Sequence, residues 1–326
     1  MKGLSAILGQ EGAVRVLMRA MAARKLASAY LFEGAAGVGK ATTARALAQA
    51  LNCERAPGSG CGECEPCTKI ERGLHPDYLV VLPDGAFIKI AQVRQVTARA
   101  AYRPHEGRVR VVVLDPADAM NLEAANALLK TLEEPPADTH FVLCSAAPER
   151  LPVTVRSRCQ RVRFVPLAAA QVAAYLARER GLAAAQAQVV AALAAGSLAR
   201  ALALCEGEAL TRRRAEARRI EQAVRGRTIG EVIGAAAELK DDKDTLPESL
   251  ELLRVLYRDA LLEAAGAGGG RLVNADSRAE IAELAALGPD RLQRRIAAVA
   301  EAELGLRGNA SPQLCLERMM LRLREC

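Results

Sequence analysis

The stretch AYLFEGAAGVGKA, residues 29–41, decides the fold of this chain. A short apolar run, typical of a buried strand, comes first, and a glycine-rich loop then leads into a helix. The loop follows the pattern G-x-x-x-x-G-K-[ST], in which backbone N–H groups surround a phosphate, lysine adds charge and a hydroxyl holds Mg²⁺. The glycines and the lysine are present as Gly34, Gly37, Gly39 and Lys40. The sequence therefore predicts a phosphate-binding loop at the start of a helix.

Two positions that hydrolysis needs are altered in this predicted nucleotide site. Ala41 stands where the motif requires the hydroxyl, and Thr42 does not simply replace it, because the next helical residue points about 100° away. The strand-like run 109–115 ends in Asp115, where such folds hold the metal. In ATPases of the AAA+ class a glutamate normally follows, but here Pro116 follows and brings no carboxylate to activate water. We therefore expect slow ATP turnover or none.

Composition is that of a folded, multidomain protein. The 326 residues are 51% hydrophobic and 25% charged, which suits about two or three domains. A net charge of +7 permits contact with nucleic acid without requiring it. The sequence shows no apolar run of transmembrane length and no signal peptide, and its nine unevenly placed cysteines indicate a reducing cytoplasm with a local metal site.

The order of predicted elements indicates an α/β domain followed by helices. Strand-like and helix-like segments alternate over residues 1–165, which predicts a parallel sheet with helices on both faces. The predicted strands are 29–32, 78–82, 109–114, 140–144 and 161–164, and helices between them include 41–52, 90–102 and 122–133. We expect a small helical lid domain at 166–207 and an all-α domain at 208–326.

Four cysteines lie close together in residues 53–67. Cys53, Cys61, Cys64 and Cys67 include two C-x-x-C steps, each of which lets two thiolates bind one metal ion. Four such sulfurs predict a closed structural Zn²⁺ site. A bacterial iron–sulfur cluster would need a fourth cysteine soon after the third, but Thr, Lys and Ile follow Cys67. Four thiols without metal are the remaining alternative.

A group of specific strings resembles the bacterial DNA polymerase III clamp-loader subunits, a branch of the AAA+ class. The degenerate phosphate loop is followed by the four cysteines, by LKTLEEPP at 129–136 and by Ser-Arg-Cys at 157–159. The strings LRVLYRDALL at 253–262 and NASPQLCLE at 309–317 resemble the delta-prime subunits in particular. The resemblance covers essentially the whole chain, and it implies an AAA+ core, a lid and a C-terminal collar domain.

The resemblance also implies a role. A subunit of this kind aids ATP-dependent loading of the sliding clamp onto primed DNA, beside ATP-hydrolysing motor subunits and a clamp-opening delta-like subunit, in the cytoplasmic replisome. It implies that Arg158 acts in trans as an arginine finger on a neighbour's γ-phosphate. It also implies that ATP or ADP, if bound, contacts a degenerate site formed by Gly34, Gly37, Gly39, Lys40, Thr42, Asp115 and Arg200.

Two other interpretations of the sequence stay open at this point. The chain could be an ATP-hydrolysing motor subunit of the same loader, although Ala41 and Pro116 argue against it. It could also be a zinc-containing interaction module that has inherited the ATPase fold but docks no clamp loader. The Arg-rich stretch at 212–227 could contact a DNA backbone, but its interspersed glutamates favour a solvated helix face.

Overall fold

The structure is a computed structural model. It describes residues 3–225, 228–239, 246–269, 272–307 and 311–326. The chain divides into two compact units, one formed by Met1–Gln171 with Gly196–Ala199 and the other by Val172–Ala195 with Arg200–Cys326. The first boundary falls inside the helix Ala169–Arg180, so the expected three-domain division, with a separate lid at 166–207, stays a prediction.

The first unit is built on a five-stranded parallel sheet. The strands lie in the order β2-β3-β4-β1-β5, and every neighbouring pair is parallel. Their bounds are β1 Ala29–Glu33, β2 Tyr78–Val81, β3 Arg110–Leu114, β4 Thr139–Ser145 and β5 Gln160–Arg163. All five predicted strands are confirmed to within one or two residues at their ends.

Helices cover both faces of this sheet. Every residue of β1 and β3 is buried, as expected for a parallel strand covered on both sides. One face packs Leu31, Val112 and Phe141 against apolar residues of the helices over 90–100, 122–133 and 153–156. The helices of this unit are α1 Glu11–Ala22, α2 Lys40–Asn52, α3 Glu65–Glu71, α4 Ile90–Ala100, α5 Leu122–Glu133 and α6 Val153–Arg156. The predicted α/β core is confirmed.

All the regular elements in the described part of the second unit are helices. Its helices are α7 Ala169–Arg180, α8 Ala184–Leu193, α9 Leu198–Leu204, α10 Ala209–Val224, α11 Ile229–Leu239, α12 Leu246–Ala264, α13 Arg278–Ala285, α14 Pro289–Arg307 and α15 Pro312–Glu325. Helix α12 packs against α10, α13 and α14 and forms the centre of this unit. Among the described residues, no helix is long and apolar enough to cross a membrane.

A buried polar cluster joins three helices of the second unit. Arg295 Nη1 on α14 donates to both carboxylate oxygens of Glu221 on α10, at 2.9 and 3.0 Å. The hydroxyl of Tyr257 on α12 donates to the same carboxylate, and the Arg295 guanidinium lies 5.5 Å from the centre of the Tyr257 ring. Burial is the main reason that the pKa of Tyr257 is raised above its ordinary value. The cluster pairs the buried charges of Arg295 and Glu221 and connects the three helices, although Arg295 Nε has no hydrogen-bond partner among the described residues.

Candidate functional site

The glycine-rich loop has the backbone conformation that its glycines permit. Gly34 and Gly37 have φ angles of 152° and 74°, which side chains rarely adopt. A Cβ on Gly34 would lie 2.4 Å from the carbonyl oxygen of Phe164, and one on Gly37 would lie 2.1 Å from Ser197 Oγ. The loop ends at Gly39, and α2 begins at Lys40, so the N-terminus of this helix faces the loop as the motif requires.

Lys40 is engaged by its own loop. Its Nζ donates to the carbonyl oxygens of Gly34 and Ala35, at 2.6 and 2.7 Å. Burial lowers the pKa of Lys40, while Cys144, Asp115 and Asp118 act in the opposite direction. A phosphate that bound here would have to replace these two hydrogen bonds with its own.

The threonine hydroxyl groups that follow the loop do not occupy the position at which the motif binds magnesium. Ala41 is exposed and occupies the motif's hydroxyl position. Thr43 is buried and its Oγ1 donates to the carbonyl oxygen of Gly39 at 2.8 Å. Thr42 is half-buried at the residue between them. The loop therefore lacks a hydroxyl at the position where the motif binds magnesium.

The acidic side of the site contains a residue that the sequence analysis missed. Asp115 directly follows β3, and burial raises its pKa. Pro116 beside it is exposed. Asp118 accepts hydrogen bonds from Ser145 Oγ at 2.6 Å and from Ala146 N at 3.0 Å. Asp118 thus connects the turn after β3 to the end of β4. Its position three residues after Asp115 is the sequence feature that could have indicated this role.

Arg158 lies on the surface of the first unit, two residues after the end of the short helix α6. Its side chain is 36% exposed, and its Nη2 forms an ion pair with Glu133 Oε1 at 2.5 Å. Its Nη1 donates to the carbonyl oxygen of Thr154 at 2.9 Å. The next residue, Cys159, is buried in the core below, where burial raises its pKa to about 12. The backbone is therefore anchored while the guanidinium faces outward.

The four clustered cysteines converge in space as predicted. The sulfurs of Cys53, Cys61, Cys64 and Cys67 all lie within 4.8 Å of one another, and Cys53 and Cys64 are 3.8 Å apart. A tetrahedral zinc ion with Zn–S bonds of about 2.3 Å requires S···S distances of about 3.8 Å. The donor set and its spacing therefore fit a closed tetrahedral metal site.

Backbone N–H groups already surround two of these sulfurs. The sulfur of Cys53 accepts from the amides of Ala56 and Cys61 at 3.2 and 3.3 Å. The sulfur of Cys61 accepts from the amides of Glu63 and Cys64 at 3.4 and 3.2 Å. The hydrogen bonds from Glu63 and Cys64 lower the pKa of Cys61 to about 6. These donors stabilise the thiolate form, which is the form that binds metal.

Arg200 and the Arg-rich stretch form ion pairs within the second unit. Arg200 Nη2 lies 2.6 Å from Glu251 Oε2, so its predicted contact with a nucleotide stays a prediction. Arg214 pairs with Asp276, and Arg218 with Glu280. Arg213 and Arg225 are also paired with glutamates, whereas Arg227 lies outside the described residues. These contacts favour a structural role for the stretch.

A buried ion pair at the start of β2 and β3 was not predicted. Asp77 accepts hydrogen bonds from the amides of residues 105–107 at 2.8–2.9 Å, and from Arg110 Nη2 at 2.9 Å. Arg110 Nη1 and Nη2 also donate to the carbonyl oxygens of Arg99, Tyr102 and Arg103. Asp77 thus organises the loop before β3, and His75 beside it accepts a hydrogen bond from the Asp77 amide.

The sheet topology, the glycine-rich loop after β1 and the aspartate after β3 define an α/β protein with a phosphate-binding loop. Two family profiles match, one described as "DNA polymerase III, delta subunit" over residues 9–168 and one as "DNA polymerase III, delta subunit, C terminal" over residues 208–325. Among solved structures, the chain is similar to a point mutant of RuvB from Thermotoga maritima. Its TM-score is 0.46, the identity is 17%, and 87% of this chain and 85% of that chain are covered.

Comparison with curated relatives identifies the family of this chain. The chain is 30% identical over 320 residues to DNA polymerase III subunit delta' of Bacillus subtilis, covering 97% of this chain and 96% of the relative. It is 34% identical over 269 residues to the delta' subunit of Escherichia coli, covering 81% and 78%. To DNA polymerase III subunit tau/gamma of Haemophilus influenzae it is 37% identical over 177 residues, 54% of this chain but only 26% of that relative. The chain belongs to the family of DNA polymerase III delta' subunits.

Proposed function

We propose that this chain is a clamp-loader subunit that does not hydrolyse ATP itself and donates Arg158 to the active site of a neighbouring motor subunit. In this role it aids the loading of a sliding clamp onto primed DNA. Its partners are tau/gamma-like motor subunits and a delta-like subunit that opens the clamp. Any contact with DNA is to the backbone and without sequence preference.

The observation that carries the proposal is the pair of altered positions on either side of the nucleotide site. Ala41 supplies no hydroxyl for Mg²⁺, and Pro116 supplies no carboxylate for the attacking water. Lys40 also donates hydrogen bonds to carbonyl oxygens of its own loop, and it would have to give these up in order to bind a phosphate. ATP or ADP can contact the loop glycines, Thr42 and Asp115, but the residues for efficient cleavage are missing.

The surface position of Arg158 supports its action in trans. A guanidinium stays charged at every physiological pH and binds phosphate oxygens through two parallel hydrogen bonds. Arg158 is 36% exposed, and its backbone is held by the buried Val155 and Cys159 on either side. An arginine supplied in trans accelerates phosphoryl transfer by about 10³–10⁵ in GTPases.

The motor alternative has one observation in its favour. Relatives described as tau or gamma are 36–37% identical to this chain over 155–177 residues. They are covered to 26–42% of their own length, whereas the Bacillus subtilis delta' subunit is covered to 96%. A steady-state ATPase assay of the isolated chain separates the two functions, since a motor turns over ATP and the proposed subunit does not.

The decisive experiment is reconstitution with a tau/gamma-like motor subunit and a delta-like subunit. We expect Arg158→Ala to lower the ATPase rate of the assembly while leaving the unfolding of the isolated chain unchanged. Arg150→Ala is the matched control, because Arg150 is another exposed arginine of the same unit. Full activity of the Arg158→Ala assembly would refute the finger assignment.

We also propose that the four cysteines hold a structural zinc ion. Cys53, Cys61, Cys64 and Cys67 would all be ligands, which leaves no open position for a substrate. The ion would connect the end of α2 to α3 and contribute to stability alone. Metal analysis of the purified chain tests this, with one zinc per chain expected and iron or an absence of bound metal contradicting it.

A further inference from the structure

We propose that Glu133 is the positioning residue for Arg158, holding one edge of the guanidinium so that its other edge faces the neighbouring subunit. This inference rests on the proposed role of Arg158 as a finger. Glu133 would not contact a nucleotide, and it would act only by positioning Arg158.

Two contacts define the orientation of the Arg158 side chain. Nη2 lies 2.5 Å from Glu133 Oε1, and Nη1 lies 2.9 Å from the carbonyl oxygen of Thr154. A guanidinium has five N–H donors in a planar fork. One N–H donates to Thr154 and Nη2 is paired with Glu133, so N–H groups of the fork remain to bind an oxyanion. The pair therefore leaves the arginine competent to bind a phosphate.

Both anchors of the guanidinium belong to rigid elements. Glu133 is the last residue of α5, next to Leu132, which is buried in the core. Thr154 lies in α6, next to the fully buried Val155. Since α5 and α6 pack on the same core cluster, the distance between the two anchors is set by the fold and does not depend on a mobile loop.

Position matters for this chemistry because transition-state contacts tolerate little displacement. A shift of about 1 Å at a reacting group can cost about 10²-fold in rate. Without the carboxylate, the long Arg158 side chain would keep only the Thr154 contact and would sample more rotamers. The exposed pair itself is weak, so its effect should be on the geometry of the finger and not on the stability of the fold.

The test compares Glu133→Ala with Glu134→Ala in the reconstituted assembly. Glu134 is the neighbouring exposed glutamate, and within residues 3–225, which are described without a break, it forms no ion pair with Arg158. The quantity measured is the Arg158-dependent ATPase rate, defined for each assembly as its kcat minus the kcat of the Arg158→Ala assembly. The KM for ATP and the amount of assembled complex are measured alongside it.

We expect Glu133→Ala to lower the Arg158-dependent rate about fivefold, with the KM for ATP and assembly unchanged. Glu133→Gln, which keeps an acceptor for Nη2, should retain more of the rate, and Glu134→Ala all of it. In the Arg158→Ala background, Glu133→Ala should cause no further loss. This dependence on the arginine separates positioning from a general structural effect.

Four outcomes would overturn the inference. The first is that Glu133→Ala has an ATPase rate equal to or above that of the wild type, and the second is that Glu134→Ala loses as much of the rate as Glu133→Ala. The third is that Glu133→Ala causes the same loss of rate in the Arg158→Ala background, and the fourth is that Glu133→Ala impairs assembly. A normal rate in Arg158→Ala would instead refute the proposed function. If Arg158→Ala is slow and Glu133→Ala is normal, only the positioning role of Glu133 fails.

Discussion

Replacing Asp77 with asparagine should destabilise the first unit strongly. Asp77 is fully buried, and Arg110, its ion-pair partner, has a side chain that is only 6% exposed. Asparagine keeps the shape but replaces one carboxylate oxygen with an NH₂ group, which cannot accept the hydrogen bonds that this oxygen now receives. It also removes the negative charge that balances a buried guanidinium.

The size of the effect follows from these contacts. Breaking a buried ion pair by removing one partner costs about 3–5 kcal/mol. Arg110 keeps three carbonyl acceptors, which favours the lower end, whereas an asparagine NH₂ group facing Arg110 Nη2 brings two donors together and favours the upper end. We therefore expect a loss of about 4 kcal/mol. For a unit of this size that corresponds to a fall in Tm of about 8–16 °C.

Urea unfolding followed by circular dichroism measures this loss, and hydrogen exchange of residues 103–111 localises it. Asp84→Asn is the matched control, because Asp84 is 66% exposed and pairs with Lys89 at the surface. A loss below about 1 kcal/mol, similar to that of Asp84→Asn, would refute the reasoning.

The stabilisation by Asp77 should also depend on pH. Burial alone would raise its pKa, but the amides of residues 105–107 and the Arg110 guanidinium outweigh burial, so the pKa lies below its ordinary value. A lowered carboxyl pKa stabilises the fold at every pH above the ordinary value of about 4 and stops doing so as the pH falls through the lowered pKa. The difference between the wild type and Asp77→Asn should therefore be constant near neutral pH and shrink in acid.

Three further substitutions test other parts of the molecule. Cys64→Ser should abolish zinc binding and lower Tm, as shown by metal analysis and thermal melting, whereas Cys205→Ser, outside the cluster, should leave the metal content unchanged. Asn121→Ala should cost about 1 kcal/mol in urea unfolding, because the Asn121 side chain caps α5 by accepting from the Ala124 amide at 2.8 Å. Tyr257→Phe should cost about 1–2 kcal/mol, because Glu221 loses a buried hydroxyl donor but keeps Arg295. A stability equal to that of the wild type would contradict either of the last two estimates.

Much of the fold could be predicted from local pattern. The five strands are short apolar runs with the alternation of helices that a parallel sheet requires, and the structure places their ends within one or two residues of the prediction. The start of α2 and the left-handed loop glycines follow directly from the phosphate-loop motif. The four cysteines were also predictable, because two-residue spacings confine Cys61, Cys64 and Cys67 to one small volume and the short glycine-containing loop before them can bring Cys53 back to it.

The partners of individual charged residues could not be predicted. Lys40 was expected to face a nucleotide, and in the structure it donates to the carbonyls of its own loop. Arg200 pairs with Glu251, and Asp77 with Arg110, across 51 and 33 residues of sequence. Charged groups interact over a few ångströms and in any direction, so their partners depend on how distant elements pack.

The sequence by itself determined the class of fold, the altered positions Ala41 and Pro116 and the cysteine cluster, because each depends on residues that are close along the chain. Only the tertiary structure decided that Arg158 is exposed and held by Glu133, because α5 and α6 meet through packing on the core. Hydrophobic periodicity specifies which face of an element is buried, but the contacts among the polar groups outside are set by the assembled fold.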